Sequence, residues 1–360
     1  MKSRKSSFSR MKILFLFMFP CLGYMANEAA GQSRSLFDSD EPLSITLKGN
    51  LRDLLNDRTS TPKNFPVDLI VNSVDNRQMS IPVQMKTRGH FRRLKENCVY
   101  PPLLIQFGND SIHKGTVFKH QKKLKLVMPC RGDEYTIKEW LVYKMYNLVT
   151  PLSFNARLVQ VTLDDTRAKK PTDPMYGILL EDEDQMAKRN QMIVLERKII
   201  PQQSQVIPFL TMAVFEYMIG NTDWGVQYLQ NIKLVARDST SRVITVAYDF
   251  DHAGIVGAPY ALPAPELDLS SIKERRYRGY CIQSMSPYEE VLVHFNQLKD
   301  KMYALYTDCK LLDSRSIKTA TQFLDGFYAT INDPKKWQRD FLYPCDKNGT
   351  GNVVLKGLKK

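Results

Sequence analysis

Apolar and polar residues alternate with a short period from 44 to 128. The runs SITLKGN, VDLIVNS, MSIPVQMKT, PLLIQF and KLKLVM are brief, several are rich in β-branched residues, and turn-forming stretches such as NSVDNRQ and FGND separate them. This pattern predicts strands. Pro82 interrupts the third run, which predicts an edge or a bulge, because proline lacks a ladder N–H. The period then changes at EYTIKEWLVYKMYNLV, residues 134–149. Ile137, Leu141 and Met145 recur at four-residue spacing with Trp140 and Val142 beside them, so a helix is predicted. Strands return at NARLVQVTL and MYGILLE. The stretch EDEDQMAKRN, acids first and cations last, reads as the start of a helix.

Beyond Ile207 the pattern is mostly helical. PFLTMAVFEYMIG places Pro208 at a plausible first helical position and Gly220 at the end. QNIKLVAR and RVITVAY read as two strands around the polar turn DSTS. Two amphipathic helices follow. Val291, Phe295, Leu298, Met302 and Leu305 make one apolar stripe; Ile317, Ala320, Phe323, Leu324 and Phe327 make the next. No internal repeat or low-complexity region occurs. The pattern gives a β-rich half with one helix, then a mainly helical half interrupted by a hairpin.

The first residues stand outside this pattern. Lys2, Arg4, Lys5, Arg10 and Lys12 precede an apolar run from Ile13 to Met25, followed by Ala26, Ala29, Ala30 and Gly31. A basic head, a short apolar core and a small-residue exit make residues 1–32 a secretory signal, and the run is short for a membrane span. Cys21 raises a lipoprotein reading, which Pro20 before it fits poorly. The expected location is therefore exported, periplasmic or extracellular, with association to the envelope left open.

Composition adds modest limits. The chain has 360 residues, 43% apolar and 25% charged, which suits a large globular domain or two lobes. Its formal charge is +13; residues 1–32 carry five basic residues and one acid, leaving +9. An exported cationic protein can meet phosphates, acidic polymers or an anionic envelope surface, though the same charge also serves solubility. Aromatics are not interleaved with cations as in single-strand binders, so no nucleic-acid partner is expected. Five cysteines remain beyond Cys21: Cys98, Cys130, Cys281, Cys309 and Cys345. None forms CxxC or a Cys/His zinc spacing. Export permits disulfides, and Cys98 with Cys130, which flank two strand-like runs, is the first choice of pair. The odd count leaves at least one thiol unpaired.

Two nearby stretches concentrate the candidate chemistry. IGNTDWGVQYLQNIKL, 219–234, holds Asn221, Asp223 and Asn231; VAYDFDHAG, 246–254, holds Asp249 and Asp251 at the end of an apolar run. Asp223 sits past a helix end and can orient a hydroxyl and accept its proton. A helix C-cap followed by an Asx turn explains the same residues. Alternation would place Asp249 and Asp251 on one side of an extended segment, where they repel unless a cation intervenes. Hard oxygen donors of this kind suit Mg2+, with Asn231 completing the set; a solvated strand end is the plainer explanation. Lys125 shares a strand face with Lys123, a face that solvent alone can explain.

The ordered motifs MKTRGHFRRL, KLKLVMP, KEWLVYKMYN, YGILLEDED, GNTDWGVQYLQN and AYDFDHAG, spanning about 80–260, resemble the spore-coat CotH kinase-like family of atypical protein kinases. The resemblance implies an α+β, two-lobed protein-kinase-like fold. A β-rich N-lobe with one helix (33–182) would precede a mainly helical C-lobe carrying the metal and catalytic hairpin (183–345) and a flexible tail (346–360). It implies ATP and Mg2+ as cofactors, with Asp223 catalytic and Asp249, Asn231 and Asp251 at the metal. Lys125 would hold the phosphates with Glu139 as its partner, Glu181 would meet the adenine and ribose unless it caps the next helix, and Arg88 or Arg92 would contact phosphate unless TRGHFRR is a plain basic surface patch. The chain departs from protein kinases in three ways. No GxGxxG loop occurs. The position five residues after Asp223 is Tyr228, so Asn231 substitutes from a longer loop. The third residue of the metal motif is Asp251 rather than glycine.

The leading expectation is an exported kinase moving the ATP γ-phosphoryl group to a protein or other envelope acceptor. The alternatives are a non-catalytic envelope or surface protein on the same scaffold, and a nucleotidyl transferase. A serine hydrolase is excluded for want of GxSxG. A glycosidase stays open, because only the spatial separation of carboxylates decides it.

Overall fold

A computed structural model describes Met1 and residues 35–343, except 74, 110, 112 and 264. The secretory-signal expectation for 1–32 and the tail beyond 343 lie outside the described residues.

Seven strands close into one barrel: β1 (Leu43–Gly49), β2 (Phe65–Asn72), β3 (Gln78–Thr87), β4 (Leu103–Phe107), β5 (Lys123–Val127), β6 (Ala156–Asp165) and β7 (Met175–Leu180), in the order β1-β2-β3-β4-β5-β7-β6. All neighbours are antiparallel except the closing pair. There β1 runs parallel to β6 from Leu43↔Val159 to Gly49↔Asp165. The inward residues follow the period of two. Ile45, Leu47, Val67, Leu69, Ile81, Val83, Met85, Leu103, Ile105, Leu124 and Leu126 are all buried in one apolar cluster. Leu51 and Leu54 of the short helix α1 (Leu51–Asn56) join it. Pro82 pairs with Asp68 of β2, but the pairing with β4 begins only at Val83. Proline thus sits where β3 has a neighbour on one side, as its missing N–H requires.

The remaining elements pack outside the barrel. They are α2 (Asp133–Val149), α3 (Glu183–Arg189), β8 (Ile193–Leu195), α4 (Val206–Ile219), β9 (Ile232–Ala236), β10 (Ile244–Ala247), α5 (Ser286–Gln297), α6 (Lys299–Thr307), α7 (Ser314–Ile331) and α8 (Pro334–Phe341). Strands β10, β9 and β8 form a separate three-stranded antiparallel sheet. Asp133 and Glu134 sit in the first turn of α2, where acids favour a helix. Helix α4 starts at Val206, two residues before the predicted proline. Pro208 still falls in the first turn, where a missing N–H costs no hydrogen bond. The stripe from Val291 to Leu305 belongs to two helices rather than one, α5 and α6, with Leu298 between them.

The expected two-lobed kinase-like fold is corrected by this arrangement. The strands form a closed mixed barrel rather than the lobe of a bilobal fold, and no apolar boundary separates the barrel from the helices. Val127, Ala156, Leu158, Ile178 and Leu180 of β5, β6 and β7 share one continuous cluster with α2, α4, β9, β10 and the later helices. The closing contact joins β1 to a strand more than a hundred residues later. Local periodicity carries no information about that pairing.

Cys98 and Cys130 form a disulfide, as their flanking positions predicted, and Cys309 carries a free thiol.

Candidate active site

The loop carrying Asp223 is built from the end of α4. Gly220 caps the helix in the left-handed region, φ 68°, and a Cβ there would meet Phe323 at 2.8 Å. Both facts require glycine. Asn221 Oδ1 then accepts the Asp223 N–H at 3.0 Å, an Asx turn. The cap and turn that offered a plain explanation are therefore present, and they are what hold Asp223. Its carboxylate accepts from Gln230 Nε2 and, at 3.1 Å, from Asn231 Nδ2, which also donates to the Asp223 carbonyl at 2.6 Å. Gly225 and Gln230 exchange backbone hydrogen bonds at 2.9 Å, closing the longer loop that delivers Asn231. The buried Arg278 donates to the carbonyls of Thr222 and Trp224 and lies 4.9 Å from the Trp224 ring. Because both interactions of Asn231 use Nδ2, its Oδ1 remains an open acceptor.

Asp249 lies beside Asn231. The β9–β10 ladder continues one step past Ala247↔Ile232, with Tyr248 N–H bonding the Asn231 carbonyl at 3.0 Å. Asp249 follows in the left-handed region, φ 66°, an uncommon conformation for a residue with a Cβ and one that collects at functional sites. Its N–H donates to Tyr143 Oη at 2.9 Å. Phe250 is fully buried against Tyr143, Tyr146 and Phe215, with ring centroids 4.8, 5.9 and 5.7 Å away. That anchor fixes both flanking acids.

The expectation that Asp249 and Asp251 share one side of a strand does not hold. The segment has left the extended conformation, and Asp251 enters a turn. Asp251 is 3% exposed; its Oδ2 accepts the Tyr260 hydroxyl at 3.0 Å and lies 3.6 Å from Arg92 Nη1. Among the described residues no hydrogen bond or ion pair reaches the Asp249 carboxylate, although the charges of Arg92, Arg88 and His252 act on it. Burial, then the charge of Asp251, push its pKa up. Burial likewise lifts Asp223 to about 6, with Asp251 and Asp249 adding and His252 opposing.

Two cations face this open acid. Lys125 on β5 sits 4.8 Å from the Tyr248 ring centroid and 5.8 Å from that of Phe154, and makes no hydrogen bond or ion pair among the described residues. Burial first, then the neighbouring Arg88, bring its pKa down to about 8, while Glu183 and Asp249 oppose. Arg88, just past β3, likewise makes no side-chain hydrogen bond or ion pair among the described residues, although its charge acts on Asp249. Lys123, on the same strand face, pairs with Asp182 at 3.3 Å and Asp184 at 3.6 Å.

Two expected roles are not matched by the contacts. Glu139 does not partner Lys125; its Oε2 lies 3.2 Å from Arg92 Nη1, and the pair is buried. Arg92, which the sequence offered beside Arg88 as a phosphate contact or as part of a basic surface patch, is instead held by this buried acid. Glu181 is bound on both oxygens by Arg189, at 3.0 Å each, and also accepts the Asn155 N–H at 2.9 Å. It is therefore a structural acid, not a free one at a ligand edge. Tyr143, Gln230, Tyr260 and Arg278 also support the site and gave no sequence signal, since each works through a contact distant in the chain or through loop geometry.

Among the described residues no three His, Cys, Asp or Glu side chains converge as a ready-made metal set. The donors that do fit are the open Asp249 carboxylate and Asn231 Oδ1. Two hard oxygen ligands suit Mg2+, which keeps several waters and leans on substrate phosphates. Asp251 repels Asp249, and Arg92, Arg88 and His252 oppose that repulsion without making an ion pair to its carboxylate.

Compared with protein-family models and with curated protein sequences, the chain gives no match. Among solved structures it is similar to the crystal structure of a Helicobacter pylori proinflammatory kinase, CtkA, at a TM-score of 0.37 and 11% identity over 69% of this chain and 92% of that one. So loose a likeness leaves fold and activity to be read from this chain's own residues.

Proposed function

We propose that the protein is a Mg2+-dependent phosphotransferase that moves the ATP γ-phosphoryl group to a hydroxyl of an extracytoplasmic protein or other envelope acceptor, in the manner of CotH-like atypical kinases. The observation that carries this reading is electrostatic. Lys125 and Arg88 repel each other, and among the described residues neither makes an ion pair, beside an Asp249 carboxylate that likewise makes none. Buried or half-buried charges are ordinarily paired. A triphosphate with its metal supplies the missing partner for each.

In this reading Lys125 and Arg88 hold phosphate oxygens, while Asp249 and Asn231 Oδ1 hold the metal. Bound ATP and Mg2+ supply the transferable group and neutralise its charge, which is most of what phosphoryl transfer needs. Asp223 does the chain's own proton chemistry. With a pKa near 6 it is ionised at neutral pH, so it can orient the acceptor hydroxyl and take its proton. Gln230 and Asn231 fix the carboxylate's direction. The Cys98–Cys130 disulfide supports an oxidising, extracytoplasmic setting. The net charge of +9 beyond residue 32 favours approach to an anionic envelope surface.

The test is a binding titration of the purified protein lacking 1–32 with a non-hydrolysable ATP analogue, with and without Mg2+, followed by transfer assays with α- or γ-labelled ATP on envelope extracts. Metal-dependent binding and γ-label transfer are expected. Transfer of the α-label would make it a nucleotidyl transferase. Absence of binding would leave a non-catalytic envelope protein.

A further inference from the structure

Two buried carboxylates, Glu139 and Asp251, stand on the inner side of the site, two residues and one buried ring away from Asp249 in the case of Asp251. One arginine stands between them. Arg92 is 7% exposed; its Nη1 lies 3.2 Å from Glu139 Oε2 and 3.6 Å from Asp251 Oδ2, and its Nη2 donates to the Met128 carbonyl at 2.8 Å. Tyr260 closes the other approach to Asp251 Oδ2.

Arg92 is held in place from both sides. The Cys98–Cys130 disulfide ties the loop after the Phe91–Arg93 turn to the connection between β5 and α2. Asn97 Nδ2 donates to the Phe91 carbonyl at 2.8 Å. Arg131 donates to the carbonyls of Asn97 and Glu96 at 3.1 and 2.8 Å. On the opposite side the Phe91 ring packs 5.2 Å from His252 and 6.0 Å from Tyr260, in the segment that follows Asp251. The guanidinium is therefore clamped between α2 and that segment.

We infer that Arg92 is a resident cation that occupies the space between Glu139 and Asp251, so that the acid cluster admits one divalent ion only, at Asp249 and Asn231, and Asp251 is not a ligand. The inference rests on the phosphotransferase reading for the ion at Asp249. A second divalent ion would have to displace a guanidinium held by two carboxylates, a carbonyl and a covalent clamp. Two positive charges at that range in a partly dry site repel strongly. Removing the arginine's charge should instead expose Glu139 and Asp251 as a second cation site.

Titration of the purified protein with Mn2+ alone, reading free Mn2+ by electron paramagnetic resonance, tests this. Wild type should bind one ion. Asp249→Asn should weaken it about 10-fold or more, and Asp251→Asn should leave the Kd within about three-fold. Arg92→Met should bind one ion more than wild type. Two ions in wild type, a loss in Asp251→Asn as large as in Asp249→Asn, or a single ion in a folded Arg92→Met would each overturn the inference and leave the phosphotransferase reading standing. No ion in wild type would overturn both. If Arg92→Met does not fold by circular dichroism, the Asp251→Asn titration decides alone.

Discussion

Asp249 and Asp251 are two residues apart and flank the same buried ring, yet their surroundings differ in kind. Asp251 meets Arg92 and Tyr260, and Arg92 in turn meets Glu139, so every charge on that side has a named partner. Asp249 feels the charges of Asp251, Arg92, Arg88 and His252, yet among the described residues no hydrogen bond or ion pair reaches its carboxylate, and neither Lys125 nor Arg88 nearby makes an ion pair. Taking a charge out of water is expensive unless it is paired. The closed side is what a protein builds to hold itself together. The open side makes physical sense as half of an interaction whose other half is a ligand.

The two sides should respond to mutation in opposite ways. The largest effects are expected on the open side in activity. Asp223→Asn should reduce kcat by about 10²- to 10⁴-fold, the usual range for a general base. Wild-type activity should fall as pH drops below about 6, where Asp223 becomes protonated, and the residual activity of the variant should lack that acid limb. Asp249→Asn should lower transfer by about 100-fold or more, and its melting temperature should hold or rise, because an unpaired acid is gone and asparagine tolerates the left-handed backbone. A clear fall in melting temperature would mean that Asp249 is a structural acid like Asp251.

Next in size is Arg92→Met, which strands two buried acids. It should cost about 3–5 kcal/mol in urea unfolding, against little or no loss for Lys125→Met. The Lys125 variant should instead weaken binding of the ATP analogue by about 10-fold, and equal affinities in a titration would remove Lys125 from the site.

The smallest effect tests a buried acid behind the catalytic loop. Glu216 on α4 is 1% exposed, and burial pushes its pKa up to about 8 against the opposing effects of Asn221 and Arg278. A raised acid stabilises below its unfolded pKa, and that contribution is lost as pH rises through the folded value. Wild type should therefore lose melting temperature relative to Glu216→Gln as pH rises from about 4.5 to about 8, and the difference should level off above that. Parallel curves across that range would place an uncompensated charge elsewhere.

How much of this was readable in advance follows from the range of each signal. Strand and helix periods are local, so the barrel strands, α2, α4, and the β9–β10 hairpin stood out in the sequence. So did the clustering of Asn221, Asp223, Asn231 and Asp249, because a cap, an Asx turn and a hairpin are each settled within about ten residues. The split of one predicted tail helix into α5 and α6 was missed, since both sides of Leu298 carry the same apolar spacing.

The sequence by itself determined the period of each element, the glycine at the end of α4, the disulfide pair and the set of acids gathered near Phe250. Only the tertiary structure decided that the strands close into a barrel through β1 and β6, that Glu139 faces Arg92 instead of Lys125, and that Asp251 is closed off while Asp249 is open. The reason is that chain neighbours share geometry by covalent constraint. The partner of a buried charge is chosen by which side chains folding brings within a few ångströms, and residues 47 and 159 positions apart along the chain supply Arg92 with its two acids.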